Sequence, residues 1–245
     1  MKLHCALTSL LALGVLSTPT TAVAEPACQA PKPFTARYDS DIKKVISLSG
    51  AGEQRLVKLG EHQYRFTFDV TSSVADIKQS AILTWDPETC RIRTNEYEHR
   101  LESFLLPDRK TWFKRTADGA ALSGKYKDDA FSVDSQPQYV DPLGVQIQMR
   151  EDLRGGAETL TYEMVHRGRV VTDTYQVVDR ETLTLGGVDY DTLKVEKVRE
   201  QDSERKTFLW LAPALDYAMV KTSHYVSDSE HYEVKIDRFS FSDPI

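Results

Sequence analysis

Between residues 64 and 70, apolar Tyr64, Phe66, Phe68 and Val70 alternate with Arg65, Thr67 and Asp69, the period of a strand that buries one face and wets the other. The same two-residue period recurs from residues 34–38 to residues 232–241, with runs at 81–85, 110–115, 169–178, 182–185, 192–199 and 206–211 among others. The pieces between runs are short and turn-like: Gly50-Ala51-Gly52, Asp86-Pro87, Asp118-Gly119, Gly186-Gly187 and Ser227-Asp228. Links this short join antiparallel neighbours, because a parallel crossover takes about a dozen residues or more. The pattern predicts a mainly β fold: a single-domain antiparallel meander over residues 33–245, forming a closed or half-open barrel.

One segment has a different period. Within residues 141–156, Asp141 is placed to cap a helix, Pro142 suits the first helical position, and Gly155 or Gly156 suits a left-handed exit. Val145, Met149 and Leu153 recur at four-residue intervals and form an apolar stripe. One short helix near residues 142–154 is expected. It would lie across the barrel mouth or against the concave face, or else over an open edge with no pocket behind it.

The start of the chain reads as an address. Lys2 precedes a charge-free apolar run over residues 5–16, Pro19 breaks it, and Ala22-Val23-Ala24 offers small residues at a cleavage site. The run is shorter than the roughly 18 residues of a spanning helix. A signal peptide over residues 1–24, removed after Ala24, is expected, leaving a periplasmic protein that does not span a membrane. Residues 25–32, with Pro26 and Pro31, read as a flexible N-terminal segment.

Processing changes the charge and cysteine count. The chain has 31 Lys+Arg against 37 Asp+Glu and a net charge of −6, and loss of Lys2 makes it one charge more negative. An acidic balance excludes nucleic acid, which needs a basic face. Of the three cysteines, Cys5 leaves with the leader, so Cys28 and Cys90 remain as an even pair in an oxidising compartment and are the candidate disulfide.

Catalytic signatures are missing from the sequence. The histidines beyond the leader, His62, His99, His166, His224 and His231, lack metalloprotease spacing. There is no Gly-x-Ser-x-Gly elbow, no Walker A or Gly-x-Gly-x-x-Gly loop, and no Cys/His pattern for zinc. Neither a catalytic residue, a metal site nor a cofactor is expected. The carboxylates Glu181, Asp189 and Asp191 flank the Gly186-Gly187 turn. A hydrolase of envelope glycan or lipid, the alternative class, would need two such groups facing each other across a cleft.

Aromatic residues make up 9% of the chain, and many alternate with polar ones. Phe66, Phe68, Trp85, Trp112, Trp210 and Tyr217 are the candidates for lining a cavity that takes a lipid, a lipoprotein acyl chain or a segment of an envelope protein. The same rings could instead fill the barrel interior, which would leave an interaction scaffold. A cavity of at least about 300 Å³ separates the two outcomes.

The C-terminal half carries a family resemblance. Residues 175–183, the Gly186-Gly187 turn, Leu193-Lys194-Val195, Trp210-Leu211-Ala212-Pro213 and residues 216–221 resemble the bacterial exported family known as domain of unknown function 3108. Residues 34–38 and the Asp141-Pro142-Leu143 helix start match that family's opening strand and helix. The resemblance implies export and a half-barrel fold similar to lipoprotein carriers of the LolA/LolB type, and it brings no catalytic residues.

Overall fold

The computed structural model describes residues 28–43, 48–73, 75–103, 107–200, 203–227 and 230–242. The leader expected over residues 1–24 lies outside the described residues. Eight strands come first: β1 (Phe34–Lys43), β2 (Leu48–Lys58), β3 (Gln63–Ser72), β4 (Ala75–Asp86), β5 (Arg91–Ser103), β6 (Arg109–Arg115), β7 (Ala121–Tyr126) and β8 (Asp129–Asp134). After the helix α1 (Gly144–Arg154) come β9 (Thr159–His166), β10 (Arg169–Leu185), β11 (Val188–Lys197), β12 (Lys206–Ala212), β13 (Ala218–Ser227) and β14 (Glu230–Phe241).

All strands form one antiparallel sheet. Except for β8 and β9, strands consecutive in sequence pair with each other, and β14 returns to pair with β1. The order runs from β8 at one edge to β9 at the other, so the barrel is half-open. At that seam Val140 makes a short parallel bridge to β9: its N–H donates to the Glu163 carbonyl at 3.2 Å, and Val165 N–H donates to the Val140 carbonyl at 2.9 Å. Phe131 of β8 rests on Gly168 in the β9–β10 turn, where a Cβ would stand 3.1 Å from the ring and φ is +79°. Glycine is required there on both counts.

Two expectations are corrected. Gly50-Ala51-Gly52 is not a turn but part of β2, paired to β1 on one side and β3 on the other. A Cβ on Gly50 would stand 2.9 Å from the Thr71 carbonyl oxygen, so the glycine serves close strand approach. The separate runs at 169–178 and 182–185 form one strand, β10, joined through a bulge between Val177 and Asp179.

The helix begins two residues later than the pattern suggests. Pro142 and Leu143 form a turn, and the Asp141 carboxylate accepts hydrogen bonds from the Leu143 and Gly144 N–H groups at 2.7 and 3.1 Å. Thr94 of β5 adds a hydroxyl donor at 2.6 Å. α1 lies inside the curve of the sheet. Val145, Ile147, Met149 and Leu153 are buried, and so are Gln148 and Arg150. Gln148 joins the helix to the β4–β5 corner: its Oε1 accepts from Ile92 N–H at 2.7 Å, and its Nε2 donates to the Cys90 carbonyl at 3.0 Å. Cys90 is disulfide-bonded to Cys28, with Cα atoms 5.4 Å apart. Among the described residues no helix is long and apolar enough to cross a membrane.

Burial pushes the Asp141 carboxyl up to about 6, against the pull of its Thr94 and backbone donors. A folded pKa raised above the unfolded value contributes stability below about pH 4, and this is lost as pH rises through about 6. The expected loss is about 3 kcal/mol for a shift of about two units. Urea midpoints of wild type and Asp141→Asn at pH 4 and pH 7 measure it: the wild type should lose ground relative to the amide as pH rises, and a constant difference would overturn the assignment.

Candidate functional site

Two-residue periodicity puts Phe34, Phe66, Phe68, Leu209 and Leu211 on the concave face, while α1 presents Val145, Met149 and Arg150 towards them. Between helix and sheet lies a cavity of about 530 Å³. Its walls come from β1–β3 and β9–β14; β4–β8 contribute none of the lining residues. In that other part of the sheet Leu83, Trp85, Ile92, Phe113 and Leu122 are buried core. The interior is therefore filled on one side and hollow on the other.

The six aromatic candidates separate along this division. Phe66, Phe68 and Tyr217 line the cavity. Trp85 is 2% exposed at the end of β4 and belongs to the filled side. Trp112 lies between the buried Thr111 and Phe113, so strand parity turns it to the convex face. Trp210 has the opposite parity to Leu209 and Leu211. Its Nε1 donates to Glu181 Oε1 at 2.7 Å, and the ammonium groups of Lys194 and Lys221 lie 5.4 and 4.6 Å from its ring centroid. The carboxylates near the Gly186-Gly187 turn are held locally: Asp191 accepts from Thr182 at 2.7 Å and Asp189 from Thr184 at 2.6 Å.

One end of the cavity is polar and partly open. Lys197 and Asp173, both lining it, form an ion pair with side chains 21% and 17% exposed. His166 and Thr207 stand at the same end, and burial pulls the His166 imidazole below its ordinary pKa. β12 runs from Thr207 past Leu209 and Leu211 to the turn that carries Asp216, so Asp216 marks the opposite end.

That opposite end is closed and holds a buried charge cluster. Arg150 donates through Nε to the Asp216 carbonyl at 2.7 Å and through Nη2 to Asp216 Oδ2 at 2.9 Å. Its guanidinium lies over the Phe34 ring at 4.5 Å. Arg154 bonds the other Asp216 carboxylate oxygen and also Glu151. Asp216 and Tyr217 both adopt left-handed backbone, at φ +58° and +57°, a rare state for non-glycine residues that concentrates at ligand and active sites. Burial pulls the Arg150 guanidinium below its usual pKa, and Asp216 opposes the shift. Beside it, Gln54 Nε2 donates to Gln146 Oε1 at 2.8 Å, and the Tyr38 hydroxyl lies 3.0 Å from both Gln54 Oε1 and the Met219 carbonyl.

Pattern reasoning did not single out Arg150, Asp216, Lys197 or Asp173. One signal for Arg150 was present: no carboxylate stands three or four residues from it on the helix, whereas Arg154 has Glu151. Its partner had to come from elsewhere in the fold.

Comparison with solved structures supports the architecture. A β-barrel-like protein of domain of unknown function DUF1849 from Brucella abortus matches at a TM-score of 0.56 with 11% identity, covering 86% of this chain and 98% of that one. A domain named for outer membrane lipoprotein sorting from Vibrio parahaemolyticus has 10% identity over 87% of each chain, but a TM-score of 0.23. A DUF1329 family protein from Desulfovibrio piger has 8% identity over 87% of each chain and a TM-score of 0.24. Only the first likeness is strong enough to bear on the fold. Among curated proteins none matches the chain. A family model matches residues 54–235, and on that match the chain belongs to the family of proteins of unknown function DUF3108.

Proposed function

We propose that this is a non-enzymatic periplasmic protein that binds an apolar chain, from a lipid or from the acyl group of a lipoprotein, in the hollow side of its half-barrel. The observation that carries this reading is the 530 Å³ cavity walled by Phe66, Phe68, Val145, Met149, Leu209 and Leu211. Its volume lies within the roughly 300–1,000 Å³ of small-ligand sites. Each methylene moved into such walls gains about 0.8 kcal/mol. An apolar cavity gains nothing comparable from water, which needs two to four polar partners.

Two further features support the reading. The Cys28–Cys90 disulfide suits an oxidising compartment and agrees with the leader-like pattern of residues 1–24. Among the described residues lining the cavity, Asp173 is the one carboxylate, and it is paired with Lys197. The two facing carboxylates that a glycan hydrolase needs are thus not assembled around this space.

The test is native mass spectrometry of protein isolated without detergent, followed by titration with a fluorescent fatty-acid probe. A co-purifying lipid or saturable probe binding is expected. Leu209→Trp, which places an indole inside the cavity, is expected to weaken probe binding by about tenfold or more while circular dichroism stays unchanged. Folded protein that is empty and binds no apolar probe would sink the reading.

A further inference from the structure

Among the described residues, two buried side-chain nitrogens have no hydrogen-bond partner: Arg150 Nη1 and Arg199 Nε. Arg199 is not among the residues that line the cavity, whereas Arg150 is. A buried guanidinium donor left unmatched is costly, and native interiors rarely keep one without a reason. The Arg150 side chain is only 7% exposed, and the surrounding cluster leaves it nowhere to turn. Asp216 already accepts from Arg150 on one carboxylate oxygen and from Arg154 on the other. Glu151, the other carboxylate of the cluster, is bonded to Arg154. The Gln54 amide and the Tyr38 hydroxyl are engaged with each other and with Gln146 and Met219. The open valence of the cluster is therefore a cationic N–H donor on a residue that lines an apolar cavity.

From this we infer that the ligand is an amphiphile with an oxyanion head, a carboxylate or a phosphate ester, and that the Arg150 guanidinium meets that head at the closed end while the chain lies along Leu209 and Leu211. This rests on the proposed apolar binding and adds the ligand's polar chemistry. A planar guanidinium fixed by Asp216 and stacked on Phe34 is preorganised for an oxyanion, and a charge-assisted bond there is screened from water. The Lys197 ammonium at the open end is paired with Asp173 as Arg150 is with Asp216, but it is not among the buried donors left without a partner.

The experiment is competition against a fluorescent apolar probe with a fatty acid, the fatty alcohol of the same chain length and the corresponding monoalkyl phosphate. The acid or the phosphate is expected to bind about tenfold or more tighter than the alcohol, and whichever is tighter identifies the head. In Arg150→Met/Asp216→Asn, which leaves no buried charge stranded by the loss of its partner, that ratio is expected to fall to about one; Lys197→Gln should retain it. Equal binding of all three ligands by the wild type, or loss of the preference in Lys197→Gln alone, would overturn this inference while leaving apolar binding intact. If no ligand and no probe binds, the underlying function fails instead.

Discussion

Asp216→Ala is expected to lower the unfolding free energy by about 3–5 kcal/mol, the cost of stranding a charge whose buried partner has been removed. Arg150 and Asp216 are each 7% exposed, so neither can turn to water without opening the end of the cavity. Arg154 would keep Glu151, so Arg150 carries most of the loss. Asp216 also holds φ at +58°, where alanine is strained by about 1–2 kcal/mol more. Asp216→Asn keeps the backbone preference and isolates the charge. Urea denaturation of both variants beside Arg150→Met/Asp216→Asn separates the contributions, and the double variant should recover most of the loss. A loss below about 1 kcal/mol in Asp216→Ala would mean that the charge cluster is not an element of stability.

Cys28→Ser, or reduction of the wild type, is expected to cost about 4 kcal/mol. The two cysteines are 62 residues apart, and the chain-entropy model assigns that magnitude to a closure of this length. The effect should be felt at the helix as well, because the carbonyl of Cys90 is held by Gln148 of α1. Thermal midpoints with and without reductant measure it; identical midpoints would show that the bond constrains nothing in the unfolded chain.

The meander was legible because the code for a half-buried strand is local. Tyr64, Phe66 and Phe68 announce their face without reference to any partner, and short links between such runs leave antiparallel pairing as the simple outcome. Gly50 and Gly52 misled because glycine in a sequence looks the same whether it turns the chain or clears space for a neighbouring strand. The division of the tryptophans was not legible either. Each lies on a strand, but which face it takes follows from parity, and bulges such as the one between Trp210 and Leu211 in the β12–β13 pairing shift the register that parity depends on. Arg150 and Asp216 lie 66 residues apart in the chain, and no spacing rule joins a helix residue to a turn after a strand four elements later.

The edges β8 and β9 meet through the Phe131–Gly168 contact and the Val140 bridge, with no strand-to-strand ladder between them. The protein is thus a clasp and not a ring. In a sealed barrel a wider bore requires breaking a whole row of interstrand hydrogen bonds or changing the strand number. Here the seam is held by a ring resting on a glycine, by the pair of Val140 backbone bonds and by the Gln138–Glu163 side-chain bond, so every other pairing in the sheet could survive a bulkier guest.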